Sequence, residues 1–221
     1  MSRIATALPA EWARQDAILL TWPHADSDWR PWLSQADRTL AALAAAISHR
    51  ETVLIGCHDL KHSQHIRDLL RAADADLARC RLYAVPSNDI WARDHGPITV
   101  HRDGQPVLLD FRFNGWGEKY AFELDDRITA RLHESGAFGP APREPVDLIL
   151  EGGSIETDGR GTLLTTAECL LNPNRNGLDR AGLERRLGET LGFTRFLWLR
   201  QGHLAGDDTD SHIDTLARFC D

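Results

Sequence analysis

One order of elements occurs twice in succession in this chain: a polar motif, a hairpin turning at Asp-Gly, a loop, a helix and a strand. It limits the possible folds more than anything else in the sequence. The first pass starts at SNDIWARDHGP (residues 87–97). Its spacing predicts a hairpin over 98–101 and 106–113 around Asp103 and Gly104, a helix over 120–134 and a strand over 146–150. The second starts at Glu151, Gly152 and Gly153, with a hairpin over 154–157 and 161–165 around Asp158 and Gly159. A loop at 172–177, a helix over 179–191 and a strand over 193–199 follow. A third motif, Gly206 to Asp214, closes the series. Asp94, Glu151 and His212 hold corresponding places, 57 and 61 residues apart by subtraction of their numbers. A unit of about 60 residues cannot bury its apolar face alone, so such units stack or close around an axis. The motif ending each unit then points inward, and the expectation is a central polar site.

The part before residue 87 alternates strand and helix. DAILLTWP (16–23) reads as a buried strand closed by proline, and ETVLIGC (51–57) and CRLYAV (80–85) as two more. Helices are predicted over 34–50, with Ser34 as N-cap, and over 60–73, where Ile66, Leu69 and Leu70 share a face. The stretch 87–97 lies between two prolines and is expected to be a structured loop, neither helix nor strand. The fold class is therefore α/β, one domain over residues 1–221.

Composition excludes several functions. The chain has 221 residues, 42% hydrophobic and 26% charged, enough for a real core. Its formal net charge of −8 and its lack of any Lys/Arg-rich block argue against a nucleic-acid surface and favour a cationic partner. Residues 1–15 carry Glu11, Arg3 and Arg14 and no long apolar run, so no secretory signal or membrane partner is expected and the location is read as cytoplasmic. Cys57, Cys80, Cys169 and Cys220 show no CxxC spacing, which fits free thiols better than a zinc site. His95, His24 and the group His58, His62 and His65 share no ligand spacing and are read as surface or satisfied histidines.

The third motif is the most unusual chemically. Asp207, Asp208, Asp210, His212 and Asp214 put four carboxylates and one imidazole within eight residues. Carboxylates so close raise one another's pKa, so the arrangement makes sense if a cation sits among them: a metal, a guanidinium or an amine. His212 and Asp214, two apart, project to one side of an extended segment. A solvated acidic loop is the plain alternative, and the two motifs upstream weigh against it.

SNDIWARDHGP, LEGGSIETDG and DDTDSHID, in this order and at these separations, resemble the agmatine deiminases and the bacterial-type peptidyl-arginine deiminases of the guanidino-group-modifying superfamily. The resemblance implies a pentein fold, a pseudo-fivefold propeller of ββαβ units around a polar channel, with about three of the five units in this chain. It implies hydrolysis of a guanidinium to a ureido group with loss of ammonia, no metal and no organic cofactor. It also implies roles. Asp94 and Asp214 resemble the carboxylates that grip the guanidinium, a geometry suited to bidentate charge-assisted bonds. Glu151 resembles a third carboxylate, and His212 the general acid and base, a task that suits a group titrating near neutrality. Trp91 would pack on the substrate and Asp208 would meet a second positive group, such as the terminal amine of agmatine.

The resemblance also implies a cysteine nucleophile in a glycine-rich segment more than a hundred residues beyond the HID motif, and this sequence has no counterpart to it. Cys220 lacks that setting, and Cys57, Cys80 and Cys169 match no catalytic position. The expectation is a C-terminally shortened chain whose open propeller exposes interior faces, which a second copy could cover as a homo-oligomer. Three other readings share the motifs: a peptidyl-arginine deiminase, a guanidinium-binding protein without catalysis, and a metal-dependent hydrolase using the Asp and His cluster.

Overall fold

The computed structural model describes residues 6–221. In chain order its strands are β1 (Thr6–Ala7), β2 (Ala17–Thr21), β3 (Thr52–Cys57), β4 (Cys80–Ala84), β5 (Ile98–Arg102), β6 (Gln105–Arg112), β7 (Arg143–Ile149), β8 (Glu156–Thr157), β9 (Thr162–Thr166) and β10 (Arg195–Leu199). The helices are α1 (Leu33–Ser48), α2 (Leu60–Ala72), α3 (Ala92–His95), α4 (Gly115–Glu118), α5 (Ile128–Glu134), α6 (Ala167–Leu170) and α7 (Arg180–Leu191). The described residues fall into two compact units, one of residues 6–13, 93–120 and 140–221, the other of 14–92 and 121–139.

The first unit holds the two sheets of the repeat. β5 and β6 pair antiparallel and β7 joins β6 in parallel; β8 and β9 pair antiparallel and β10 joins β9 in parallel. The shared topology is the one the repeat predicts. Asp103 (φ 49°) and Gly104 (φ 79°) both take the left-handed region, the requirement of a two-residue type I′ turn. β1 extends the first of these sheets by pairing with β5. α7 closes over the sheets with Leu183, Leu187 and Leu191 fully buried among Val100, Leu109, Leu163 and Phe193. Each such side chain contributes about 1.5–3 kcal/mol of burial. Asp179 caps the helix by accepting from Gly182 N at 2.8 Å, and left-handed Gly192 ends it.

The second unit is built differently. β2, β3 and β4 form an all-parallel sheet, with α1 and α2 as the crossovers. Trp22, Ala44, Val53, Ile55, Ile66 and Leu70 make its core. The first part of the chain therefore does not repeat the ββαβ order of the rest. Trp32 rather than Ser34 precedes α1, and no side chain caps it.

Two other expectations need correction. The helix predicted over 120–134 is reduced to α5 and a 3-10 turn at Asp125–Arg127. Asp125 instead accepts from Asn88 N at 2.7 Å and Asp89 N, while Asn88 Oδ1 accepts from Leu124 N, so polar bonds to the 87–89 loop replace the first helical turns. The loop at 87–97 contains a helical turn, α3, which the flanking prolines did not suggest. Among the described residues no helix is long and apolar enough to cross a membrane.

Candidate guanidinium-binding site

Four of the six residues singled out in the sequence meet in the first unit. α3 carries Asp94, 8% exposed. Its Oδ2 accepts from Trp116 Nε1 at 3.1 Å and its Oδ1 from Gly153 N at 3.0 Å. His212 Nδ1 lies 3.6 Å from the same Oδ1. Glu151 precedes a 3-10 turn at Gly152–Ser154 and is fully buried. Asp214 lies within the third motif's own 3-10 turn, Ile213–Thr215.

The glycine pair is what allows this convergence. A Cβ on Gly153 would lie 2.5 Å from His212 Nδ1, 2.7 Å from Asp94 Oδ1 and 2.8 Å from Asp214 Oδ2. A Cβ on Gly152 would meet Arg93 O at 2.1 Å. No side chain fits at either position, so the backbone itself forms the floor under three polar groups.

The electrostatics follow from burial. Desolvation pushes the Asp94 carboxyl up to about 7; the Trp116 and Gly153 donors oppose this, and the charges of Glu151 and Asp214 add to it. Burial, joined by the positive Arg175, pushes His212 down to about 3. Burial also raises Asp214, against the pull of Arg93 and Arg218. The expectation that His212 titrates near neutrality does not match this state. His212 is a neutral imidazole, and the group titrating near neutrality beside it is Asp94.

Arg175, which the sequence reading passed over, fills the other side of Glu151. Its Nε stands 2.7 Å from Glu151 Oε1, with both side chains fully buried. The pair engages Oε1, while Glu151 Oε2 and His212 Nε2 keep their accepting capacity. Arg175 Nη1 donates to Asn174 Oδ1 at 2.6 Å and Asp210 Oδ2 at 2.9 Å. Asp210 and Ser211 hold left-handed φ values of 65° and 69°. Each such non-glycine residue costs about 1–3 kcal/mol. The strain is offset by Asp207, which accepts from Thr209 N and Ser211 N, and by Thr166 Oγ1 donating to Ser211 O at 2.7 Å.

Trp116 was also missed. It sits in α4 with φ 56°, and Asn114 Oδ1 accepts from Gly117 N across the turn. The signal was present in FNGWG, where an aromatic between two glycines marks a tight left-handed turn. The two remaining expected residues are both exposed. Asp208 is exposed; its Oδ2 accepts from Tyr120 Oη at 2.7 Å and its backbone oxygen from Lys119 Nζ. Trp91 belongs to the second unit, 48% exposed, its ring 6.2 Å from that of Trp29.

Cys169 is an unexpected neighbour. Its sulfur, a Glu151 oxygen and a His212 nitrogen lie within 4.8 Å of one another. Burial and the charges of Glu151, Asp210 and Asp94 hold its thiol well above the usual range, so it stays protonated.

A profile of the Porphyromonas-type peptidyl-arginine deiminases matches residues 7–221. A Yersinia pestis protein provisionally named an agmatine deiminase is 40% identical over 96% of this chain and 57% of its own length. The chain thus spans a little over half the length of the curated relatives it matches. The solved agmatine deiminase of C. jejuni with substrate bound superimposes with a TM-score of 0.90 at 34% identity, covering 100% of this chain and 64% of that one. The Enterococcus faecalis agmatine deiminase gives 0.83 at 28%, covering 97% and 58%. These likenesses place the α/β fold in the pentein class. With the three motifs on one buried cluster and the profile matching nearly end to end, the chain belongs to the Porphyromonas-type peptidyl-arginine deiminase family.

Proposed function

We propose that this chain carries the guanidinium-gripping and proton-handling groups of an agmatine-deiminase-type hydrolase, built on a pentein propeller of which it forms about three units. The observation that carries the reading is the convergence of His212, Asp94 and Asp214 on the Cα of Gly153. A planar cation with N–H groups on several edges suits two such carboxylates, which fix its orientation and its charge together. Its arrival favours the ionised form of Asp94 and so expels the proton held there near neutral pH. Glu151 stays paired with Arg175 and keeps accepting capacity for a further substrate N–H.

In the proposed reaction a cysteine thiolate forms a C–S bond at the guanidinium carbon, the C–N bond breaks, and ammonia leaves. Water then attacks the amidino carbon, the C–S bond breaks, and the ureido product departs. Once substrate has ionised Asp94, its Oδ1, 3.6 Å from His212 Nδ1, favours the protonated imidazole, so His212 takes the thiol proton, returns it to the leaving ammonia and then activates the water. None of the three buried thiols is suited to be the nucleophile: burial pushes Cys57 up to about 12, raises Cys80, and with nearby carboxylates raises Cys169. Agmatine is favoured over a peptidyl arginine because exposed Asp208, oriented by Tyr120, offers a second anion to the terminal amine of a dication. The test is agmatine binding together with ammonia release, the ureido product being identified by mass. Turnover supports the grip and the reaction but places a nucleophile within this chain, beginning with the exposed Cys220. Saturable binding without turnover supports the grip and leaves the nucleophile to another segment. No binding overturns it.

A further inference from the structure

The second unit holds a cluster that the guanidinium reading does not use. We propose that His24, Asp26 and His58 form a binding site for a divalent transition metal of the zinc class. Parallel pairing of β2 with β3 puts Thr21 opposite Gly56, so the segments that follow, Trp22 to Asp26 and His58 onward, leave the sheet at the same end. Residues 34 apart in sequence, by subtraction of 24 from 58, are thereby neighbours. One ligand atom from each of the three side chains lies within 4.8 Å of the others, and the two imidazole rings stack with centroids 4.1 Å apart.

Two further observations point to a ligand. His24 Nε2 donates to the backbone oxygen of Ser87 at 3.0 Å inside the protein, which fixes the tautomer and leaves Nδ1 an acceptor. That outer bond is the one metal-ligating histidines characteristically make. Asp26 N donates to this Nδ1 at a long 3.3 Å, a weak bond that a metal can replace. His58 Nδ1 is buried and has no hydrogen-bond partner, an atom for which the fold supplies nothing. His62 is engaged differently, its Nδ1 accepting from His58 N at 3.1 Å.

Two imidazoles and one carboxylate are the donor set of an open zinc site, and nitrogen donors select against calcium and magnesium. Coordination at about 2.0–2.2 Å requires the His58 ring, whose Nδ1 has no hydrogen-bond partner, to turn out of the stack while Ser87 holds His24. Asp26 is exposed and its side chain is free to close from the solvent side.

The test uses the 221-residue chain, freed of metal by chelator and titrated with zinc against a chromophoric competitor. The expected result is one zinc per chain with Kd of about 1 µM or tighter. His58→Ala and Asp26→Asn should each weaken binding at least about 100-fold, beyond the cost of losing an outer-sphere partner. Because His24 is buried, Asp26→Asn on the surface keeps the test valid if His24→Ala fails to fold. Cobalt substitution should give a spectrum without a thiolate charge-transfer band. Binding unchanged in His58→Ala and Asp26→Asn, binding lost instead in Cys169→Ser, or no stoichiometric uptake would each overturn the proposal.

Discussion

Asp94 and Asp125 are both buried carboxyls pushed up to about 7 by desolvation, one in each unit, and they are built for different work. Asp125 receives two backbone N–H groups, Asn88 and Asp89, and through them fixes a loop. Asp37, also in the second unit, accepts from Trp22 Nε1 at 2.8 Å and meets His65 Nε2 at 2.8 Å. Asp94 has two donors as well, but beside it Nε2 of His212 is buried without a hydrogen-bond partner, and Glu151 is met by the ion pair with Arg175 alone. A raised pKa therefore does not by itself mark a site. What marks it is polar capacity left over after the fold has taken its share, because a buried unmet group costs about 1–3 kcal/mol and persists where something else meets it.

The largest expected effect removes the cation paired with Glu151. Arg175→Met leaves Glu151 buried without its partner and should cost about 3–5 kcal/mol of stability in urea unfolding. A loss under about 1 kcal/mol would show that the pair is not dry. Next, Asp94→Asn should weaken agmatine binding by at least about 2 kcal/mol, roughly 30-fold, and Asp125→Asn should leave it unchanged. Equal effects on binding would erase the distinction between the two carboxyls.

A third prediction concerns pH. Each carboxyl ionises at about 7 when folded, against 3.8 as its ordinary value. Each therefore favours the folded state fully below about pH 4, and that contribution is lost as pH rises through about 7. Stability followed by denaturant unfolding should fall across this window, and either Asn variant should flatten the fall. The smallest effect is at the exposed edge. Tyr120→Phe removes the hydroxyl on Asp208 and should change agmatine affinity by less than about 1 kcal/mol. A larger change would put Tyr120 among the groups that grip the substrate.

The repeat put Asp94, Glu151 and His212 at corresponding places in the sequence and the resemblance of the motifs added Asp214; the fold brings Asp94, His212 and Asp214 against Gly153. The Asp-Gly turns and the Leu183, Leu187, Leu191 face were legible because local periodicity decides them. Trp116 and Arg175 were not, since their roles depend on a left-handed turn and on a loop meeting Glu151 from 24 residues away, by subtraction of 151 from 175. The shortening of α5 was hidden for the same reason. Helical spacing was present from residue 122, but Asp125 was needed by the 87–89 loop, a tertiary demand that outweighs propensity. His24 and His58 share no spacing at all; only the parallel register of β2 and β3 brings them together.

If the groups around Gly153 grip a guanidinium through an ionised Asp94, binding must expel the proton that Asp94 holds. Calorimetric titration of agmatine into the unsubstituted chain, repeated in two buffers of different ionisation enthalpy, measures that proton. The expected result is one saturable site whose binding releases close to one proton at about pH 6 and almost none at about pH 8. Saturable binding with no proton release at either pH, or no binding at all, would contradict it.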